Sequence, residues 1–496
     1  MAGNVAADAG LRRDAIGLRE VLFQSITAMA PAAAVAASIP SGAAFAGGSL
    51  PLAVLIALVA CLFTASCVAE LARELPAAGS VSTYAAQGLH PVVGFLVGWG
   101  YVFVEALVPP LLLLQLGFTT AGTLHQEWSS YPADLWWPWA LAGAAIIAAA
   151  GYYGVRASAR FGTVLGIFEV LVFLVFAVWL IGKAGGDNTL SVFGTSHTAE
   201  GYRGISGVFA GSVYTVLAFA GFEAAAPLAE ETRDPRRTMH RAVLGAALGI
   251  GLFYVVTTYA MTVYLGPDRF ARFGASGAAS WEGVARASFG LFWVLVFLAV
   301  VNSAIANANA CANVSTRTAY ALARIRVLPR LFATLHPRHR SPIAGIAVQT
   351  VVAVGAVLGL GFGYDPVTAF LLLATVIVTV VIGVYIVANL ACAGYFLRRR
   401  RELLKPVRHL LLPLLGIVAF VPALLTAAGL PVFDFVTELT APVSYAGPIV
   451  AAWMAAGVVV LLVLMRRHPE RISETARVHL DDPSPTDPAQ SGAAHP

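Results

Sequence analysis

Charge is scarce in this chain. Only 11% of its 496 residues are Asp, Glu, Lys or Arg, against roughly 25% in soluble domains, while 58% are hydrophobic. That balance excludes an ordinary cytosolic enzyme, intrinsic disorder and a collagen-like chain. Cysteine is scarce too: the four residues Cys61, Cys67, Cys311 and Cys392 all fall inside apolar runs. A disulfide-stapled secreted domain is thereby excluded, and the four read as small buried side chains that say nothing of compartment. Catalytic signatures are missing. No H-E-x-x-H, G-x-S-x-G or G-x-x-x-x-G-K-[ST] occurs, and the ten histidines show no metal-ligand spacing. No enzymatic activity, catalytic residue, metal or cofactor is expected, and the missing P-loop disfavours ATP-driven pumping by this chain alone.

What is present is length of apolar run. With a mean hydropathy of +0.78, windows of about twenty residues recur along most of the chain, enough to cross a ~30 Å hydrocarbon core. Reading windows between Pro, Gly and charge places helices at 18–46, 50–72, 92–123, 136–154 and 160–182. Five more fall at 203–228, 240–265, 290–320, 342–362 and 366–396, and a final pair at 408–429 and 442–466. The expected fold is therefore all-α and integral to the membrane, with twelve crossings.

The basic residues test that count independently. If the amino terminus is cytoplasmic, alternation puts 26 of the 31 Lys and Arg on the cytoplasmic side. Only Lys183, Arg203, Arg269, Arg272 and Arg286 fall opposite, the asymmetry that the positive-inside rule describes. The net charge of +5 is thus a topology signal, and no nucleic-acid partner is expected. Arg12 and Arg13 precede a run that continues through Pro40 and Gly42 to about Phe45. That is longer than the apolar core of a leader, so the run reads as a first membrane helix. Residues 1–17 read as a cytoplasmic tail. The polar stretch 468–496, with Asp481, Asp482, Pro483, Pro485 and Pro488, reads as a disordered cytoplasmic tail.

Two helices look broken. The first contains Met29-Ala30-Pro31-Ala32-Ala33-Ala34, and an interior proline removes a backbone donor and clashes with the preceding turn. The sixth contains Ala218-Phe219-Ala220-Gly221-Phe222-Glu223, with Pro227 beyond. Gly221 follows Pro31 by 190 residues, and the next helices start 190 residues apart. This spacing suggests five helices repeated once, over 18–182 and 203–396. An odd number makes the second copy inverted. In inverted-repeat transporters half-helix amino termini face anionic substrate groups and unwound carbonyls face cations, near the midplane. The alternative is two packed helices that merely kink.

These residues resemble a known family. Ser25 to Gly47, then Ala69-Glu70-Leu71-Ala72-Arg73-Glu74-Leu75-Pro76-Ala77-Ala78-Gly79-Ser80, look like the first two helices and P-x-A-G loop of amino acid-polyamine-organocation permeases. Gly94-Phe95-Leu96-Val97-Gly98-Trp99, Gly221-Phe222-Glu223, Glu230-Glu231-Thr232-Arg233-Asp234-Pro235, Arg324 to Pro329 and Ser341-Pro342 extend the likeness over about 17–466. The resemblance implies a LeuT-like five-plus-five inverted repeat with two added helices, here 408–466, and transport of an amino acid or related amine. The substrate site is expected at Pro31, Ala32, Ala33, Ala34, Ala220 and Gly221, with Phe219 and Phe222 either closing over the substrate or simply packing between helices. The carboxylate would meet main-chain N–H groups near Ala32 to Ala34, and the amine would meet carbonyls of both interruptions. The first interruption departs from the family's glycine-rich form, being rich in alanine with Pro31.

Charges in hydrocarbon cost at least ~2.5 kcal/mol at a helix centre, so each invites a reason. Glu223, Glu169 and Glu105 are the proton-coupling candidates. In similar permeases a glutamate at the place of Glu223 has that role; the alternative is a hydrogen-bonded glutamate closing a frayed half-helix. Glu169 stands where some proton-coupled relatives carry a lysine, which reverses the charge. Glu105 reads more readily as a structural hydrogen-bonder. Glu70 and Arg73 read as an interfacial gate or anchor pair. Asn302, Asn309 and Asn313 share one face of the eighth helix, either lining a wet path or allowing close packing.

The expectation is a multi-pass permease of the inner or plasma membrane with both termini cytoplasmic, moving an amino acid or amine by proton-coupled symport and without a cofactor. An antiporter or exporter is the alternative among carriers, and a membrane sensor that binds an amino acid without moving it is the alternative of another class. Membrane lipid is the surrounding partner; oligomeric state leaves no signal.

Overall fold

The computed structural model describes residues 17–467 except 77–78, 154–157, 203, 225–231, 233, 272, 274–278, 325–328, 337–338, 340 and 435. At 158–163, 235, 279–280, 321–322 and 324 it describes the backbone alone. The expectations for the tails at 1–16 and 468–496, and for Glu230, Glu231 and Arg233, lie outside the described residues.

The described residues are predominantly helical. In order come α1 (Leu18–Ala28), α2 (31–46), α3 (Leu50–Glu74), α4 (Ser80–Gly88), α5 (Pro91–Glu127), α6 (Trp137–Tyr153), α7 (Ser158–Ala184) and α8 (Ile205–Phe219). Then follow α9 (Pro235–Leu265), α10 (Ala279–Phe289), α11 (Phe292–Arg324), α12 (Ile343–Tyr364), α13 (Pro366–Arg398), α14 (Leu412–Ala427) and α15 (Ala446–Arg467). Ten stretches of the described residues are long and apolar enough to cross a membrane. The first of them, Leu18–Glu74, holds α1, α2 and α3; a bend at Gly47, φ 53°, separates the last two. α6, at 17 residues, is not among the ten.

Packing sorts the helices into layers. α9 lies along α3 and touches α1 and α7, while α8 also packs on α3. α5 lies against α11 and α13; α6 and α12 pair outside α5, and α14 and α15 lean on α13. Outward faces are apolar: Val175 on α7, Val351 on α12 and Val459 on α15 are 63%, 71% and 60% exposed, a pattern that suits lipid and not water. α2 and α8 touch backbone to backbone, since a Cβ on Gly42 would lie 2.7 Å from the Gly211 carbonyl. Small residues permit such contact between membrane helices.

Two short helices fall where the sequence suggests only connections. α4 follows the P-x-A-G stretch, and α10 bridges α9 and α11. Each is too short for an apolar window to reveal. π-helical turns at Ala34–Ser38 and Val407–Leu411 are likewise invisible to periodicity.

Glu70 and Arg73 do not pair. Glu70 turns inward, 7% exposed, and meets Arg408 at 3.2 Å with His240 and His409 each at 3.9 Å. Arg73 is exposed. Cys311 also differs from its three fellows: it is half-buried, while Cys61, Cys67 and Cys392 are buried.

Candidate substrate site

The first break sits at Ala30. Its φ of 45° and ψ of 64° are left-handed, which costs an L-residue roughly 1–2 kcal/mol. Pro31 breaks the helix here, since proline disfavours the ordinary helical region for the residue before it and its ring cannot follow an unbroken turn. The helix restarts at Pro31, and Ala34 N–H donates back to the Ala30 carbonyl at 2.8 Å. Ala32 and Ala33 therefore head a new helix whose first N–H groups have no intrahelical acceptor, with Pro31 contributing none.

The second break follows Phe219. Ala220 turns extended at ψ 129°, and Gly221 takes φ 112°, a region that glycine alone enters freely. Glycine is needed there twice over. A Cβ at Gly221 would lie 2.7 Å from the Ala28 carbonyl carbon and oxygen, so the breaks abut.

Breaking two helices frees carbonyls, and neighbouring helices supply donors. Tyr254 of α9 places one hydroxyl 2.9 Å from the Met29 carbonyl and 3.0 Å from that of Ala218, donating to both. Asn307 Nδ2 of α11 donates to Ala28 (2.9 Å), Gln115 Nε2 of α5 to Ala33 (2.8 Å), and Ser25 Oγ to Phe222 (2.8 Å). Trp281 Nε1 of α10 donates to Val35 (2.9 Å), inside the π turn. An unpaired buried carbonyl costs ~1–3 kcal/mol, which these donors avoid.

All eight residues expected at a substrate site thus cluster here. Pro31, Ala32, Ala33 and Ala34 begin α2, and Ala220 and Gly221 stand half-buried opposite them. Phe219 and Phe222 are both 0% exposed; the first lies edge-on to Tyr254, and the second lies 5.0 Å from the Tyr385 ring.

The three acids differ in their surroundings. Glu223, 5% exposed, accepts hydrogen bonds from the hydroxyls of Tyr101 and, at 2.9 Å, Tyr385, and from Gly221 N–H at 3.3 Å. Glu169, 2% exposed on α7, stands by Asn302 and Ser303 of α11, and its Oε2 has no hydrogen-bond partner. Glu105, one turn beyond Tyr101, neighbours Cys311, and its Oε2 is unpartnered as well. Among the described residues no Lys or Arg forms an ion pair with any of the three.

The asparagine stripe divides. Asn302 faces Glu169, while Asn309 and Asn313 line a cleft shared with Pro109, Ala144, Ile346 and Gln349 of the surrounding helices. The asparagine that reaches the breaks is Asn307, which lies off that face. Tyr101, Tyr254, Tyr385, Gln115 and Trp281 carry no sequence signal of their own, being single polar tips on apolar helices.

Two abutting broken helices are thus roofed by donors from the surrounding helices and flanked by buried acids, inside a bundle whose outward faces suit a membrane. The chain belongs to the amino acid permease family, whose profile matches residues 20–470. It is a transporter, not an enzyme, as the named relatives are. It is 27% identical over 375 residues to the low-affinity putrescine importer PlaP of Escherichia coli (strain K12), covering 74% of this chain and 79% of that one. It is 30% identical over 347 residues to an uncharacterized transporter of Mycobacterium tuberculosis (strain ATCC 25618 / H37Rv), covering 69% and 73%. The branched-chain amino acid permease BcaP of Bacillus subtilis (strain 168) is 25% identical over 370 residues, covering 70% and 75%.

Proposed function

We propose that the chain carries an amino acid or related amine across the cytoplasmic membrane by alternating access around the two breaks. The observation that carries this is the contact of Gly221 with Ala28, which joins two interruptions 190 residues apart. In this reading twelve helices cross the bilayer, with α1 and α2 forming one broken crossing. Residues 18–182 and 203–396 form inverted halves, 408–466 add two helices, and both termini are cytoplasmic, as the arginine distribution favours. A substrate carboxylate meets the free N–H groups of Ala32 and Ala33, and an ammonium meets the carbonyls of Met29 and Ala218 in competition with Tyr254.

Coupling is to protons, by symport. Glu223 is the first candidate because it reaches the second break directly through Gly221 N–H. Glu169 and Glu105 follow, each with one oxygen open to a proton. Relatives named for putrescine and for branched-chain amino acids mark out the first compounds to try. The test is uptake of labelled putrescine, leucine and a wider amino acid pool into proteoliposomes, with and without an inward proton gradient. Gradient-driven accumulation is expected. Exchange only after preloading would instead make the protein an antiporter, and binding without flux would make it a sensor.

A further inference from the structure

A fourth buried acid lies away from the breaks. Glu282 is on α10, the short helix spanning the end of α9 and the start of α11, and is 1% exposed. Neither carboxylate oxygen has a hydrogen-bond partner among the described residues. α10 itself is tied to its neighbours at both ends. Beside Glu282, Trp281 Nε1 reaches the Val35 carbonyl in the π turn of α2 at 2.9 Å, and its ring packs against Phe173, Phe176 and Phe273. One turn on, Arg286 pairs with Glu127 at 2.9 Å and donates to the Gln126 carbonyl at 2.7 Å, fastening α10 to the end of α5.

We propose that Glu282 is a proton-binding site on a lid: shutting α10 over the π turn of α2 takes up one proton at the Glu282 carboxyl, and opening α10 returns that proton to the outer solution. This rests on the transport reading, which places α10 outside.

The reason is the cost of an orphaned charge. A carboxylate buried without a partner is strongly disfavoured, so the shut position holds the neutral acid. Among the described residues no neighbour offers a compensating charge. On α10 itself Arg286 is engaged by Glu127, and on the end of α5 the titratable groups are His125 and Glu127. The facing turns of α11 (292–301), the π turn Ala34–Ser38 and the ring contacts Phe173, Phe176 and Phe273 bring none. Burial accordingly pushes the Glu282 carboxyl up to about 8. Swung into water it returns to the usual carboxylate range of about 4.3. The shut form binds the extra proton, so closure strengthens as outer pH falls through about 8 and levels off only near the usual carboxylate value.

The test uses the full chain in proteoliposomes with Ala37→Cys as reporter. Ala37 lies in the π turn and is 5% exposed. Its reaction with a charged, membrane-impermeant methanethiosulfonate added outside is followed across outer pH of roughly 5 to 9 and corrected for the chain without the added cysteine. Glu282→Gln mimics the protonated acid, so the ratio of rates with Glu282 and with Gln rises with pH, by up to tenfold per unit, and flattens above about 8. Glu282→Asp keeps the slope, and Arg286→Gln raises labelling at every pH with the slope intact. A ratio independent of pH overturns the proposal, as does loss of the slope in Arg286→Gln. Labelling needs no substrate. A flat ratio in a chain that transports removes the lid site alone, and a sloping ratio in a chain that moves nothing removes the transport reading alone.

Discussion

Gly221 rests against the peptide group of Ala28, so closely that a Cβ would stand 2.7 Å from its oxygen. Gly221→Leu must therefore part the two breaks or distort one of them. Uptake and substrate binding are expected to fall by more than about tenfold, over 1.4 kcal/mol, while size-exclusion chromatography still shows a folded, monodisperse protein. Unchanged uptake would remove the broken helices as the site.

Tyr254→Phe removes one hydroxyl and leaves the Met29 and Ala218 carbonyls short of a donor. A loss of about 1–3 kcal/mol is expected in denaturant or thermal unfolding in detergent. An amine substrate should partly restore it, because an ammonium supplies the missing donors. Equal destabilisation with and without substrate would separate Tyr254 from binding.

Glu223→Gln keeps the size and one of the two acceptor oxygens but cannot exchange a proton at that carboxyl. The pH dependence of uptake should flatten while the KM for substrate changes by less than a factor of about three, within ~0.65 kcal/mol. An unaltered pH profile would shift the coupling role to Glu169, and then Glu169→Gln should flatten it.

Ala30→Gly tests the strain at the first break directly. Glycine accepts φ 45° freely, so relief of the left-handed penalty outweighs its extra unfolded-state freedom, and stability should rise by up to about 1 kcal/mol. A fall in melting temperature would show that Ala30 is not held there in the folded protein.

Much of this was legible in sequence because hydrocarbon leaves few options. The window 342–362 meets Ile343–Tyr364, and 366–396 meets Pro366–Arg398, since Pro and charge bracket an apolar run unambiguously. Pro31 and Gly221 betray the breaks because both residues act locally on the backbone. What closes around the breaks could not be read in the same way. Tyr254 and Trp281 are 36 and 60 residues from Ala218 and Gly221 in sequence, and an aromatic on an apolar helix looks the same whether its polar tip meets a carbonyl or an interface. The Glu70 pairing failed for a related reason: three residues on one helix suggest a partner, but burial sent Glu70 to α9 and to the π turn before α14 instead.

The Tyr254 hydroxyl has one hydrogen and two acceptors. In the proposed alternating-access cycle, when the two breaks part it need surrender only one carbonyl, and keeps its full hydrogen for the other. The joint between the breaks is thus cheaper to part than two separate bonds would be, and the side that retains the hydroxyl decides which carbonyl is left bare for the cargo.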